Sequence, residues 1–472
     1  MQSTKNFRVA VVGGGVAGSV CALRLAESGI NVSLLEKGPE LVNGPPICHL
    51  HAGGSLYREL SDEQCLALLE QSIYTARSFS GSMRYRPTLI AIPQRDPGNI
   101  EQLLPRFQKL REHYRQLVKA DPLNEVIGRV DDYFQLVSQE DAERLATLPA
   151  VVEPKTAEHW LINALRELDL NKLKFPLVLV QEYGVSLFRV AACVSLATQN
   201  LDSVRVHLHS DVEKIEAIEH GWRVHYRQKG LSNSLDVDYL VNAAGYQSGV
   251  IDDLLGVESA RMVEFKAAYL AEWPQQQCPW PEVVIHGLRG TKHGMAQLTP
   301  YGQGVFQLHG MTPGVTLFEQ GVSRSSTRSA QPQLNAEILQ LAFGQWSPDL
   351  ASQRTQAAIH YLAEFVPSFK NAQVIVKPLS GAQQIPGSDL NQRVSGASFA
   401  ASRYARSEIV KFSSALDAAD DILSDIGKLT QLSENLSIEL QAINSLAIEL
   451  IDELAEEIAL RRQYPKALAT QC

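Results

Sequence analysis

A chain of 472 residues is too long for one ordinary hydrophobic core and suits two closely packed domains with an appendage. Its 45% hydrophobic and 20% charged composition is that of a soluble globular protein. A formal net charge of −9 argues against nucleic acid as the main partner, because phosphate binding wants a basic face.

Nothing before residue 8 has the charged and apolar regions of a secretory leader, and no stretch approaches the ~18 apolar residues of a membrane-spanning helix. The first predicted element is a buried parallel strand at 8–12, Arg-Val-Ala-Val-Val. Gly13-Gly14-Gly15-Val16-Ala17-Gly18 follows as G-x-G-x-x-G, and Val20, Leu23, Leu25 and Ala26 continue with helical spacing to Gly29. A second strand, 31–35, ends in Glu36-Lys37. In such a unit Gly13 permits a tight turn, Gly15 admits a pyrophosphate to the backbone, and Gly18 lets helix and strand pack closely. Glu36 stands where an acid holds ribose hydroxyls. Strand, glycines, helix, strand and acid in that order predict a dinucleotide site.

Further along, 101–120 and 335–346 read as helices, and 283–286 and 304–309 as strands. Val237-Asp-Tyr-Leu-Val-Asn-Ala-Ala-Gly245 is an apolar strand ending in small residues, which let backbone approach the dinucleotide. In the tail, Ile422, Leu429, Leu436, Ile443 and Leu450 recur every seven, with Ile426, Ser433, Leu440, Ala447 and Leu454 four after each. That pattern predicts either helices packed on the body or a seam for a homodimer or another partner. The six cysteines are scattered without C-x-x-C, against structural zinc or a dithiol pair, and a reducing cytoplasm is the expected setting.

These motifs resemble the D-amino-acid-oxidase-like (DAO) family of FAD-dependent oxidoreductases, over roughly residues 7–400. The matching pieces are Val11–Gly18 through Leu34-Leu-Glu-Lys37, the loop Cys48-His-Leu-His-Ala-Gly-Gly-Ser-Leu-Tyr57, Glu182–Arg189 with a helix at 190–199, Val204–Ile215, and Val237–Gly245. Val376-Lys-Pro-Leu-Ser-Gly381 is similar to a flavin-side segment of the family, but Lys377 replaces an arginine and no aspartate precedes Gly381. The loop is similar to those of dimethylglycine dehydrogenase and 2-hydroxyglutarate dehydrogenase type members. In the first group the histidine is bonded covalently to the flavin and in the second it is not, and both outcomes are open for His51.

The resemblance implies an α/β (α+β overall) fold. It comprises a Rossmann-like FAD-binding domain at 1–80, 180–260 and 375–410, a mixed-sheet substrate domain at 81–179 and 261–374, and a C-terminal helical extension at 411–472. It implies FAD held by Gly13, Gly14, Gly15, Ala17, Gly18, Glu36, Lys37, Val212, Ala244 and Gly245, with His51, Ala52 and Gly53 against the ring. His51, His293 and Tyr301 are the candidate catalytic residues, with the same caution for His309. Arg289, Lys292 and Lys377 are candidate carboxylate binders. The implied reaction is hydride transfer from a small hydroxy or amino acid-type substrate to flavin, with oxygen, a quinone or an electron-transfer protein as acceptor. A flavin monooxygenase shares the fingerprint but would need NAD(P)H and usually an Asp-Gly near the ring. A flavin-bound interaction protein, with 422–458 as its working surface, is the non-catalytic alternative.

Overall fold

The computed structural model describes residues 2, 3, 6–47, 50, 58, 60–431 and 437–470. Two sheets organise it. The first has six strands in the order Ala397–Ala401, Tyr404–Ser407, Tyr239–Asn242, Arg8–Val12, Asn31–Leu35, Val204–His207. All pairings are parallel except the edge hairpin at 397–407. Strand alternation gives each residue set its own face. Val9, Val11, Val32 and Leu34 meet helices Val16–Glu27, Leu187–Gln199 and Ala415–Gly427. Ala10, Val12 and Leu35 meet a three-stranded antiparallel sheet, Ser210–Ile218, Gly221–Gln228 and Leu231–Val237. Burial on both faces explains why residues 8–12 are apolar almost throughout rather than alternating.

The second sheet has nine strands and is mixed. Glu282–Ile285 runs parallel to Thr88–Pro93, while the other pairings are antiparallel. Leu89 and Ala91 face helices Ala157–Leu165 and Pro348–Ala363, and Ile90 and Ile92 face helices Asp62–Ser78 and Leu104–Ala120. The expected FAD-domain segment 375–410 is divided. Gln373–Pro386 pairs with Arg261–Glu272 in the nine-stranded sheet, and only Ala397–Ser407 joins the six-stranded one. The backbone groups of a 14-residue strand need partners, and over Gln373–Pro386 they find them in the second sheet.

The tail packs against the first sheet's helices. Its helix stops at Gly427, and after a break the chain forms Gln441–Asn444 and Ile448–Arg461. Ile422, Ile426, Leu440 and Ile443 are buried in the same core as the first helix, whereas Leu450 is 51% exposed. At Ile422, Ile426, Leu440 and Ile443 the tail thus packs on the body, the first of the two expectations for it. Position 436 and its neighbours 432–435 lie outside the described residues. Among the described residues no helix is long and apolar enough to cross a membrane.

A buried charge cluster ties the two sheets together. Asp252 is fully buried and accepts hydrogen bonds from Arg406 Nε at 2.8 Å, Tyr404 Oη at 2.6 Å and Arg261 Nη2. Arg261 also pairs with Glu408 at 3.0 Å. Removing one partner of such a group strands the others without water. Asp252→Ala should therefore cost about 3–5 kcal/mol in urea unfolding. A loss below about 1 kcal/mol would show that the cluster relaxes around the gap.

Candidate active site

Gly13 turns the chain sharply at the end of the first strand, with φ of +104°, and its N–H donates to Leu35 O at 2.8 Å. A Cβ there would lie 2.3 Å from Ala243 O, and one on Gly18 would lie 1.8 Å from Gly13 O. The helix start is thus pressed against both the first strand and the turn after Tyr239–Asn242. Gly15 is different. It is the N-cap of the helix, no side chain caps it, and a Cβ there would meet nothing within 4 Å. The unpaired N–H groups and positive end of a 12-residue helix face that space, which suits a pyrophosphate.

Glu36 lies beside the same turn. Its carboxylate accepts from the N–H of Gly14 at 2.6 Å and of Gly38 at 2.5 Å, which fixes its orientation. Ser210 N donates to Glu36 O, so the strand bearing half-buried Val212 starts next to the acid. Lys37 pairs with Asp211 at 3.3 Å on the surface. Ala17 is buried in the helix, Ala244 N donates to Asn242 Oδ1 at 3.2 Å, and Gly245 follows at φ of +60° with open space beyond it.

From Val16 and Gly245 a cavity of about 320 Å³ reaches the nine-stranded sheet. Pro45 and Gly381 narrow it: a Cβ on Gly381 would lie 2.6 Å from Pro45 Cγ, so the aspartate-free motif serves close packing here. Lys266, the register partner of Gly381, Gln297, His309, Arg393 and Lys411 line it. Lys266 Nζ donates to Glu264 Oε2 at 2.6 Å, and Arg289 Nη2 donates to Glu264 Oε1. Burial alone would raise the Glu264 carboxyl, but Lys266 and Arg289 outweigh it and hold it down to about 2. Burial in turn lowers the Lys266 ammonium, against the pull of Glu264. His309 Nδ1 lies 3.0 Å from Ala267 O, and since a carbonyl only accepts, Nδ1 carries the proton.

The sequence candidates divide. Gly13, Gly14, Gly15, Ala17, Gly18, Glu36, Ala244 and Gly245 cluster about the turns that end the first strand and Tyr239–Asn242, and of these Gly245 lines the cavity. His309 lines it, while His293 sits on an exposed turn outside it. Tyr301 is buried in the core, its hydroxyl donating to Gln307 Oε1 at 2.9 Å and its ring lying under Arg84 at 4.5 Å. Neither His293 nor Tyr301 lines the cavity. Arg289 is tied to Glu264, Lys292 is exposed, and Lys377 lies 4.8 Å from the centre of the Tyr464 ring. His51, Ala52 and Gly53 lie outside the described residues. Sequence reasoning missed Lys266, Gln297 and Arg393. A signal existed for the first: Glu264 and Lys266 stand two apart in the otherwise apolar run 262–271, so both project from one strand face.

A family model described as FAD dependent oxidoreductase matches residues 8–382. A search of curated protein sequences finds no match. Among solved structures, glycine oxidase from Geobacillus kaustophilus is 13% identical with a TM-score of 0.58, covering 92% of this chain and 100% of that one. L-amino acid deaminase from Proteus vulgaris is 16% identical with a TM-score of 0.57, covering 90% and 96%. L-α-glycerophosphate oxidase from Mycoplasma pneumoniae, solved with FAD bound, is 14% identical with a TM-score of 0.55, covering 93% and 97%. At such identities the structures speak for the fold alone. The family match extends from the first strand into the cavity-lining strand of the second sheet, and by it this chain belongs to the FAD dependent oxidoreductases and uses FAD.

Proposed function

We propose that this enzyme oxidises a small anionic hydroxy or amino acid-type substrate at the carbon bearing the oxygen or nitrogen, with oxygen, a quinone or an electron-transfer protein as final acceptor and the cytoplasm as its setting. The observation that carries the reading is the cationic lining of a cavity that runs from the nucleotide fingerprint to the second sheet, with Lys266 and Arg393 on its wall. FAD supplies the hydride acceptor. The chain supplies the rest. Gly15 and the helix N-terminus would hold the pyrophosphate, and Glu36 the ribose. Lys266, steadied by Glu264, would draw the substrate carboxylate into the cavity, and His309 is a neighbour able to orient it through a ring whose tautomer Ala267 fixes.

Anaerobic mixing with a panel of hydroxy and amino acids tests this. Bleaching of the flavin absorbance by an acid supports the reading, and bleaching by NADPH alone would support a monooxygenase instead. With a substrate in hand, Lys266→Met should weaken its binding about 10–100-fold while FAD stays bound, since a hydrogen bond to a charged group is worth about 1.5–3 kcal/mol. Glu264 keeps Arg289 as a partner, so the fold survives the change. Unaltered binding in that variant would remove Lys266 from the site.

A further inference from the structure

Beside the main cavity lies a second chamber of about 230 Å³, which shares Met295, Met311 and Arg393 with it. Methionine side chains adapt their shape readily, so a ligand in the first chamber can reach past them into the second. Arg58, His286 and Arg289 also line this chamber. His286 follows strand Glu282–Ile285 and is 3% exposed. Its backbone N–H donates to Ala91 O, yet neither ring nitrogen has a hydrogen-bond partner among the described residues. Burial, helped by the Arg58 charge and opposed by Asp96, lowers the imidazole to about 4, so it is neutral near pH 7. A neutral imidazole has one N–H to give and one lone pair to fill, and leaving both unmet in the interior is unfavourable. Water can serve these atoms until a ligand fills the chamber. A ligand that displaces it must bring a partner of its own or lose affinity.

The cations on the wall, by contrast, are already engaged. Arg58 donates to both oxygens of Asp96, at 2.7 and 3.0 Å. Arg289 donates to Glu264, which also accepts from Lys266. Arg393 Nη1 donates to the carbonyls of Leu390 and Gln392 at 2.7 and 2.8 Å. A carboxylate entering here would meet the negative charges of Asp96 and Glu264 as well as the guanidinium groups they hold. An uncharged group that both donates and accepts, as a carboxamide does, matches the neutral ring without that opposition.

Resting on the substrate reading above, we propose that the second chamber is a distal subsite for an uncharged hydrogen-bonding group, and that the substrate is an acid whose side arm ends in a carboxamide. The carboxylate is held at Lys266 and the amide at the ring of His286. The subsite thereby selects against both an apolar tail, which leaves the ring unmet, and a second carboxylate, which Asp96 and Glu264 oppose.

Calorimetric titration of the FAD-loaded protein with acids of matched shape tests this. Glutaramate is compared with 5-methylhexanoate and glutarate, and adipamate with 6-methylheptanoate and adipate. At one length or both, the amide should bind about 10-fold or more tightly than either of its relatives. In His286→Leu its lead over the branched acid should fall to about two-fold or less. His286→Phe repeats the comparison with a ring that lacks the nitrogens. If the wild type binds some of these acids without an amide lead of that size, the subsite is overturned and the substrate reading stands. A lead that survives loss of the imidazole has the same consequence. Binding of none of the acids would overturn the substrate reading itself, and the subsite with it.

Discussion

Gly15→Val should give a folded protein that has lost its flavin. The two halves of that result come from different observations. Gly15 has φ of −68° and ψ of −172°, which valine adopts without strain, and a Cβ there meets nothing within 4 Å. Stability in the absence of FAD should therefore change little. The same open space is where the pyrophosphate must approach the helix N-terminus, and two methyl groups would fill it. FAD affinity should fall about 100-fold or more, which is roughly 2.7 kcal/mol or above. The measurement is the ratio of FAD to protein after purification, beside the melting temperature of flavin-free wild type and variant. Gly18→Val is the contrast, because its Cβ would sit 1.8 Å from Gly13 O and would force helix and strand apart. That variant should lose fold and flavin together. A Gly15→Val protein that keeps one FAD per chain would contradict the placement of the cofactor.

The difference between these two glycines shows what can be read from sequence. The Gly13–Glu36 unit is legible because its parts are neighbours: the strand, the turn, the helix and the acid lie within thirty residues, and each residue type answers a local demand. The second sheet was partly legible for the same reason, since 283–286 and 304–309 carry strand-like runs of their own. Its use was not. His286 reads as the last residue of a strand, and only the fold brings Arg58 and Asp96 against it from some 190 positions or more away. Lys266 likewise needs Gly381 across the strand pair to become part of a wall. His293 and Tyr301 drew attention as chemistry-bearing types near promising strands. In the structure the first lies exposed on a turn and the second donates a buried hydrogen bond to Gln307. The tail misleads in another way. Seven-residue spacing is as compatible with helices folded back on a body as with a seam, and spacing alone does not name the surface that covers it.

That covering surface makes the tail the site of the largest expected effect. Deletion of residues 415–472 should leave protein that neither stays soluble nor retains FAD. Leu416, Ile422, Leu423, Ile426, Leu440, Ile443, Ile451, Ile458 and Leu468 are all buried in the core that contains Val20, Cys21 and Leu25 of the fingerprint helix. Burying one such side chain is worth about 1.5–3 kcal/mol, so together they outweigh the ~5–15 kcal/mol by which a domain is normally stable. Deleting the tail also removes the entropy cost of ordering it, but the apolar face of the first helix is left behind in water. Polar latches go with the apolar ones. Arg24, 2% exposed in that helix, would lose Asp420 at 2.7 Å together with Ser437 O and Ile438 O. Arg189 would lose Asp452, and Glu40 would lose Arg461 and Arg462. A buried guanidinium without its acceptors is a further penalty of several kcal/mol (on the order of 3–5 for a broken buried pair). The readout is soluble yield and flavin content, followed by size-exclusion chromatography of whatever remains soluble. A truncated protein that is yellow, monodisperse and half the mass of the intact assembly would mean that the tail joins copies of the chain rather than closing the core of one.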